Sequence, residues 1–527
     1  MLKKSLVLVT ALILTPVFSH AQFDPFKGVK ELADAIEKKQ EKDAANAAAR
    51  DAERAAPGQS AAPVSLGHGR TIRYAGYSKS FLPLKSKLLS GNFEDVDKHY
   101  TKKEGKARKK AKGNDAKYFR KVGFLGFVEH GSLELAQGDL AGSIEAYTGA
   151  EQVLNLRNDE SKAKEKSKAF MGKFCGMVIG KDEFVPYYGV AFERILMLNG
   201  KSIAYLLSGD RLAYNVTRRS IDWQNTEKAA FDAEQRKIQE DLAKKRGKNP
   251  FSGMVEKLVW AAYADYETKA QAVPSAFVNP FGFYMAGMIQ EFESADDPSL
   301  MDNARISYGK ALELNPESKV IREAYEAMQK GEKAGDRRLV QVVAFDGFTP
   351  EKKVLEFQIP VSSDMIIPVK LPVYEPVDSV VSGIAVTGNG EPLADLDEVA
   401  SVEAISLRYQ SDQRSKQTLD VLIRVAASVG KRTAAKDNSI AMGVVTMHDA
   451  LSTPDMRSWM SLPATISAAR FYAPPGVDAI EIHSRDETGA VLSTQSVAIA
   501  ESGPTFIFVR SMDAQMLAHA NQSLWFN

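Results

Sequence analysis

Apolar residues recur at helical spacing along much of the chain up to about residue 336, and strand-like runs replace them afterwards. Three stretches, residues 131–150, 202–218 and 285–316, each show an apolar helical face, a short break and a second amphipathic helix. The breaks fall at Gly138-Asp139, at Gly209-Asp210 and at residues 296–298, and Pro316 is expected to end the last helix. Each stretch therefore predicts a helical hairpin.

Small residues in these hairpins indicate close helix packing, and Tyr147 and Tyr308 each precede an alanine by three residues. This pattern is typical of tetratricopeptide repeats, in which stacked hairpins bury apolar faces that one hairpin alone cannot bury. Such arrays commonly bind another macromolecule in a groove. Five tyrosines are candidate partner contacts, although each could equally belong to the core of a repeat: Tyr147, Tyr187, Tyr188, Tyr205 and Tyr308.

The whole pattern predicts an α+β protein in which a tetratricopeptide-like helical array is followed by a small antiparallel, sandwich-like β-rich domain with one inserted helix. The helical domain is expected over residues 81–336, with a long insertion at 225–279, and the β-rich domain over 337–527. Prolines at 368 and 372 indicate an edge strand or an irregular strand over residues 365–373. Residues 402–409 are a further strand candidate, residues 415–432 are predicted as the inserted helix, and a strand meander is predicted over 465–509.

The first 21 residues have the features of a cleavable secretory signal peptide. Lys3 and Lys4 precede an apolar run over residues 6–14, and Ser19-His20-Ala21 is a small-residue site, so cleavage is predicted after Ala21. The apolar run is too short to span a bilayer. Residues 22–80 are predicted to form a charged, alanine-rich helix followed by a flexible linker at 55–63. These features predict a periplasmic protein, with secretion as the alternative.

The charges are almost balanced, with 68 Lys and Arg against 67 Asp and Glu, which argues against a nucleic-acid partner. Residues 99–121 are the exception, because ten of them are basic. This run could contact an anionic envelope polymer or lipid headgroups, although a solvated helix face is the commoner explanation. Membrane association is therefore expected only indirectly or through this run. The candidate contacts are Lys102, Lys103, Arg108, Lys109 and Lys110.

The sequence contains no motif that indicates catalysis. Residues 199–202 resemble the end of a phosphate-binding loop, but Ile195 replaces the required first glycine. The histidines lack the mutual spacing of a zinc site, and the single Cys175 excludes an internal disulfide. We therefore expect no catalytic residues, no cofactor and no metal.

Residues 454–463, PDMRSWMSLP, are the most distinctive block in the second half of the chain. Trp459 and Leu462 are predicted to be core anchors where helices meet the sheet, and Arg457 and Arg470 to pair with carboxylates across that junction. A structural role is the expected one for all four residues.

This block and three others, at residues 192–196, 205–210 and 342–348, resemble a family of uncharacterised bacterial envelope proteins with tetratricopeptide-like repeats. Members of that family are usually lipoproteins encoded beside lipoproteins that are similar to the curli secretion channel and to activators of penicillin-binding proteins. The resemblance implies partner proteins in the cell envelope. Outer-membrane lipoproteins of the curli-channel type are among the partners it would allow. It transfers no catalytic residue, and the lipid-bearing cysteine of the family is missing here.

The sequence thus predicts a non-catalytic periplasmic scaffold or adaptor that binds envelope partner proteins through a helical-repeat groove, in assembly of a cell-envelope or surface-export complex. An enzyme that modifies cell-wall polymer is one alternative, for which a cleft with convergent ionisable groups would be the sign. A secreted structural component of a surface appendage is the other.

Overall fold

Helices make up most of the described chain as far as Gln329, and strands make up most of it from Arg338 onward. The computed structural model describes residues 64–66, 70–159, 186–246, 252–332, 337–362, 365–435, 454–521 and Leu524. The predicted order of a helical part followed by a β-rich part with antiparallel sheets is confirmed. The predicted signal peptide, the alanine-rich helix, the linker at 55–63 and Cys175 lie outside the described residues.

Thirteen α-helices lie in the described part of the chain. They are α1 (Gly76–Leu89), α2 (Phe93–Ala111), α3 (Asp115–Gln137), α4 (Leu140–Asp159), α5 (Ala191–Leu207), α6 (Leu212–Arg246), α7 (Ser252–Ala262), α8 (Glu267–Gln271), α9 (Pro280–Glu293), α10 (Leu300–Leu314), α11 (Lys319–Gln329), α12 (Val402–Asp412) and α13 (Arg414–Ala435).

The three predicted hairpins are present as α3–α4, α5–α6 and α9–α10. Gly138 and Gly209 have φ angles of 79° and 71°, a left-handed conformation that glycine adopts without strain, so each ends its helix. Glycines also allow close packing: a Cβ atom at Gly131 would lie 3.2 Å from the ring of Tyr147, and one at Gly287 would lie 2.8 Å from the ring of Tyr308.

The strands form three sheets. Their elements are β1 (Val64–Leu66), β2 (Arg70–Arg73), β3 (Arg338–Asp346), β4 (Glu351–Ser362), β5 (Met365–Glu375), β6 (Gly383–Gly388), β7 (Glu391–Asp395), β8 (Asp397–Ser401), β9 (Thr465–Ala473), β10 (Ala479–Arg485), β11 (Val491–Ala498), β12 (Thr505–Met512) and β13 (Gln515–Ala520). The first sheet has the order β1-β2-β4-β5, the second β11-β10-β6-β7 and the third β13-β12-β3-β9-β8. All pairings are antiparallel except β3 with β12, among the strands that the structure describes.

The second and third sheets pack face to face, in the manner expected of a sandwich-like domain. Val340 and Val342 on β3 meet Ile384 on β6 and Ile480 and Ile482 on β10 in one apolar cluster.

The strand β2 departs from the expectation of a helix and linker before residue 80. Arg70–Arg73 pairs with β4, with Ile72 opposite Leu355, and Ile72 is buried in the apolar cluster on that sheet. The sequence signal for this strand was a run of only four residues, Arg-Thr-Ile-Arg. Such a run is too short to show the alternation of apolar and polar residues that marks a strand.

The helical and β-rich parts share one core instead of forming two separate ones. Phe281 and Tyr284 on α9 belong to the same buried cluster as Val343 and Phe345 on β3 and Phe508 on β12. Fifteen of the seventeen residues of α5 and twelve of the fourteen of α9 are buried. One face of the hairpins is thus packed, over the described residues, against the chain's own third sheet, so that face is closed to a partner.

The predicted insertion has a packing role. The helix α6 continues without a break to Arg246, and Ile238, Val255 and Val259 from α6 and α7 pack against Leu355 and Val369 of the first sheet. These helices cover a sheet face that would otherwise expose apolar side chains.

The prediction of a strand at residues 402–409 was wrong, because this segment is the helix α12. The Ser401 side chain accepts a hydrogen bond from the Ala404 N–H at 3.1 Å and so caps the helix. Its Val402, Ile405 and Leu407 are buried. The β-rich part therefore contains two inserted helices, α12 and α13, where the sequence predicted one.

Candidate binding cleft

An open cleft of about 910 Å³ lies between the helical part and the first sheet. Its walls come from residues 186–190 and the start of α5, from α6, from β5, from α12 and α13, and from residues 454–457. We call this feature the cleft. A volume of this size is at the upper end of those found for ligand sites.

One wall of the cleft carries Tyr187 and Tyr188, and Gly189 fixes the backbone beside them. Gly189 has a φ of 72°, and a Cβ atom there would lie 2.5 Å from the Phe124 ring, so only glycine fits. Arg194 donates a hydrogen bond to the Gly189 carbonyl at 2.5 Å and another to Glu227 at 2.7 Å. The loop is therefore held in one position by α5 and α6.

What we call the cleft floor comprises three charged residues of the lining, Lys352, Asp455 and Arg457, together with the buried Glu193 near Lys352. Glu193 accepts hydrogen bonds from the Trp459 N–H at 2.8 Å, from the Val190 N–H at 3.0 Å and from the Tyr187 hydroxyl at 2.7 Å. Lys352 Nζ donates to the Arg457 carbonyl at 2.7 Å. Arg457 pairs with Asp455 through two hydrogen bonds, at 2.8 and 2.7 Å, and its guanidinium lies 5.0 Å from the centre of the Tyr187 ring.

Burial shifts the protonation of these groups. It raises the pKa of Glu193, which its hydrogen bonds only partly counteract, and it lowers the pKa of Lys352. Burial also disfavours the charged form of Asp455, but the hydrogen bonds from Arg457 and the charge of Lys352 prevail and lower the pKa of that carboxyl. Perturbed ionisable groups inside a cleft are typical of functional sites, although structural networks produce them too.

The edge of β5 that faces the cleft is unsuited to pairing with another strand. The Tyr374 N–H donates a hydrogen bond to the side-chain oxygen of Gln410. The Pro372 carbonyl accepts a hydrogen bond from the Tyr263 hydroxyl at 3.1 Å. Strand alternation therefore also directs the backbone groups of Pro368 and Lys370 away from β4. Because two of these four outward residues are prolines, which have no N–H, the edge is protected against strand addition. This confirms the edge strand that the prolines predicted.

The lining of the cleft is basic and rich in tyrosine. It includes eight Lys and Arg side chains, four Asp and Glu side chains and five tyrosines. Three of the cations pair with acids of the same lining, Arg194 with Glu227, Lys416 with Glu234 and Arg457 with Asp455. The excess of positive charge favours an anionic ligand.

The structure brings two of the five predicted contact tyrosines, Tyr187 and Tyr188, into the cleft. Tyr147 and Tyr308 are instead buried core residues, each packed on a glycine of the partner helix, so neither is available to a partner in this structure. Tyr205 lies away from the cleft on α5, half-buried, with Lys201 Nζ 5.9 Å from the centre of its ring.

Most of the predicted basic run forms the C-terminal half of α2. Lys102, Arg108, Lys109 and Lys110 are exposed, whereas Lys103 is partly buried. Burial lowers the pKa of Lys103. Arg108 is engaged locally, because it pairs with Asp115 at 2.8 Å and stacks on Tyr118 at 3.6 Å from the ring centre.

The residues predicted at the helix–sheet junction have three different surroundings. Trp459 and Leu462 are buried in the shared core, and the Trp459 ring lies 6.2 Å from that of Tyr147. Arg470 on β9 pairs with Glu291 on α9 at 2.6 Å. Arg457 pairs with its near neighbour Asp455 and belongs to the cleft floor.

A second cluster of polar groups, which sequence reasoning missed, lies where α2 crosses α3. Asp97, His130 and Glu134 place one donor atom each within 4.8 Å of one another, a spacing at which they could hold a metal ion. Only the four-residue spacing of His130 and Glu134 was visible in the sequence, because Asp97 comes from another helix.

Comparison of the chain with models of known protein families, with curated proteins and with solved structures finds no match. Among the described helices, none is both long enough and apolar enough to cross a membrane.

Proposed function

We propose that this protein is a non-catalytic scaffold of the bacterial periplasm whose cleft holds an acidic segment of an envelope partner protein. The observation that carries the proposal is the lining of the cleft, with its five tyrosines and its twofold excess of basic over acidic side chains. Tyrosine supplies broad contact area at a low cost in conformational entropy, and arginine and lysine pair with carboxylates.

The protected edge of β5 supports recognition through side chains. A partner that added a strand would need a row of free N–H groups, and Pro368 and Pro372 remove two of them. An acidic segment needs no such row, because its carboxylates can pair with cations on α13 and its backbone can pack on the tyrosines.

The finer features of the proposal rest on the sequence. The signal-like N-terminus supports export, and the family resemblance supports envelope lipoproteins of the curli-channel type as partners. We also propose that the three hairpins are tetratricopeptide-like repeats. The recurrence of a glycine–tyrosine contact in the first and the third hairpin supports this relationship.

Site-specific photocrosslinking in living cells tests the proposal. A photoreactive residue in place of Tyr188 should capture an exported protein, whereas one in place of Leu212, which is exposed on α6 away from the cleft, should not. Equal yields from both positions, or no capture at 188, would contradict a partner in the cleft.

Charge reversal then separates specific from general attraction. With the captured partner purified, Lys431→Glu in the cleft should weaken binding several-fold, and this loss should shrink at high salt. The matched control is Lys110→Glu on α2, which should leave the affinity unchanged because this residue is exposed but lies outside the cleft.

A polymer-modifying enzyme is the second candidate, and the convergence of ionisable groups on the cleft floor favours it. The internal partners of Glu193, Lys352 and Asp455 favour the scaffold, because groups fully engaged in structural bonds are poorly placed to transfer protons. Release of soluble fragments from purified cell wall by the wild type, and its loss in Asp455→Asn, would establish the enzyme and overturn the scaffold.

A further inference from the structure

His130 is held between carboxylates on both of its ring nitrogens. Its Nδ1 lies 2.8 Å from Glu104 Oε1, and its Nε2 lies 3.0 Å from Asp97 Oδ1 and 3.3 Å from Glu134 Oε1. The His130 side chain is only 7% exposed. One imidazole nitrogen and two carboxylate oxygens converge on one point. Zinc accepts ligand atoms of both types.

Two of the three separations between these atoms suit tetrahedral coordination, and the third, between the two carboxylate oxygens, is no more than 4.8 Å. Zinc binds nitrogen and oxygen at about 2.0–2.2 Å, so neighbouring ligand atoms of a tetrahedron lie about 3.3–3.6 Å apart. The separations of 3.0 and 3.3 Å need only small side-chain adjustments to reach that value. Glu104 on the other ring nitrogen occupies the position of the carboxylate that commonly orients a metal-bound histidine.

The local fold shapes this arrangement. Asp97 and Glu104 are seven residues apart on one face of α2, and His130 and Glu134 are four apart on α3. Gly142 on α4 leaves room for the carboxylate, because a Cβ atom there would lie 2.7 Å from Glu134 Oε1. The second oxygen of Glu134, Oε2, is buried and has no hydrogen-bond partner among the described residues. A buried carboxylate oxygen without a partner is costly unless a cation approaches it.

We propose that Asp97, His130 and Glu134 bind a divalent cation of the zinc type, with Glu104 orienting the imidazole. The bound ion would link α2 to α3, and the partly exposed Asp97 gives it access from solvent. This site lies apart from the cleft and does not depend on the proposed function.

Protonated histidine is the alternative occupant of this space. Burial opposes the charge, but the hydrogen bonds that the imidazolium donates to Glu104 and Asp97 and the charges of Glu104 and Glu134 raise the pKa of His130 to about 9. A proton and a metal ion therefore compete for Nε2, and the experiment is best run at mildly alkaline pH.

Metal titration of the chelator-treated full chain tests the proposal. Zinc should bind with one equivalent per chain and raise the melting temperature, and cobalt(II) should give the visible absorption of a tetrahedral site. Glu134→Gln should lower zinc affinity by more than tenfold, and Glu104→Gln should lower it by about ten- to a hundredfold. If the wild type binds no zinc under these conditions, the site holds an imidazolium and the proposal is overturned.

The control is His99→Asn, which removes an exposed histidine of α2 close to Asp97. Its ring lies near the positive charges of Lys87 and Lys103, so it should contribute nothing to the site. An equal loss of zinc in His99→Asn and Glu134→Gln would indicate adventitious surface binding and contradict the proposal. His130→Asn removes the nitrogen ligand itself. If that variant does not fold, Asp97→Asn tests the site at a less buried ligand, and circular dichroism checks that the variant is folded.

Discussion

Two clusters of buried charge lie where helices meet strands, and they differ in what surrounds them. The first, which we call the junction cluster, comprises Glu291, Tyr308, Gln341 and Arg470. Glu291 and Arg470 are 4% and 7% exposed, and the carboxylate accepts bonds from Arg470, Tyr308 and Gln341. The second is the cleft floor, where the Asp455 side chain is 32% exposed.

The comparison shows that similar charged residues serve two purposes. The junction cluster is closed on every side by protein groups, so its charges fix α9 against β3 and β9 and contact nothing else. In the cleft floor, Glu193 is enclosed by its hydrogen-bond partners, whereas Lys352, Asp455 and Arg457 line the cleft itself. A closed charge cluster stabilises an interface, whereas an open one can also bind.

The largest effect is expected from breaking the junction cluster. Glu291→Ala leaves the Arg470 guanidinium buried without its carboxylate, which should destabilise the fold by about 3–5 kcal/mol in urea unfolding. The double variant Glu291→Met with Arg470→Met should regain much of that loss, because no charge then remains uncompensated. The reference is Arg73→Ala, which removes a partly exposed ion pair with Glu356 and should cost far less. Equal costs for the two single variants would remove the distinction between closed and exposed charge.

The next largest effect should come from the cleft wall at Gly189. Gly189→Ala forces a side chain into a left-handed conformation and against the Phe124 ring, so it should cost roughly 2–4 kcal/mol. Gly253→Ala is the matched control, because no atom lies within 4 Å of the added methyl group on α7, and it should be neutral or slightly stabilising. Thermal unfolding of both variants measures the difference, and a Gly189→Ala protein as stable as the control would show that the loop is not held as described.

A smaller effect, dependent on pH, should distinguish the cleft floor. Because burial raises the pKa of Glu193 above its ordinary 4.5, the folded protein binds a proton there more tightly than the unfolded chain does. The contribution of Glu193 to stability should therefore be greatest below pH 4.5 and fall as pH rises through the raised pKa, by up to about 1.4 kcal/mol per pH unit.

The measurement is the free energy of unfolding of the wild type minus that of Glu193→Gln across this pH range. Glu391→Gln, at an exposed position of β7, supplies the reference curve. A difference between wild type and Glu193→Gln that stays level or rises with pH would show that hydrogen bonds outweigh burial at this carboxyl.

The smallest effect on stability is expected on the open side of the cleft. Lys431→Glu replaces an exposed side chain and should change the free energy of unfolding by less than about 0.5 kcal/mol. A large destabilisation would mean that this wall of the cleft is structural. Chemical denaturation at low and high salt provides the check.

Local signals in the sequence were sufficient for the hairpins and for the order of helices and strands. Gly138 and Gly209 end their helices through their own conformation, and Pro368 and Pro372 mark an edge strand by the N–H groups they lack. In each case the physical cause lies within a few residues of the feature. Such local causes can be recognised in a single sequence.

Features that depend on distant contacts were missed. Val402, Ile405 and Leu407 suit either a strand or a helix, and packing together with the Ser401 cap decided for the helix. The cleft unites residues from seven helices and strands that are far apart in the sequence. The covering of the hairpins by the third sheet likewise depends on contacts between distant residues, such as Tyr284 with Gln341. Periodicity describes which face of an element is apolar but does not name the surface that covers it.

The pairing of β2 with β4 has a consequence for how the chain acquires its structure. Arg73 and Glu356 are joined across this pair although 283 positions separate them along the polypeptide. Loop closure over such a distance is slow, so the strand near the N-terminus waits for most of the chain before it can complete its sheet. A chain that emerges N-terminus first, from a ribosome or through a membrane channel, would carry β2 without its β4 partner until late. A chaperone that shields short exposed strands should therefore speed its maturation.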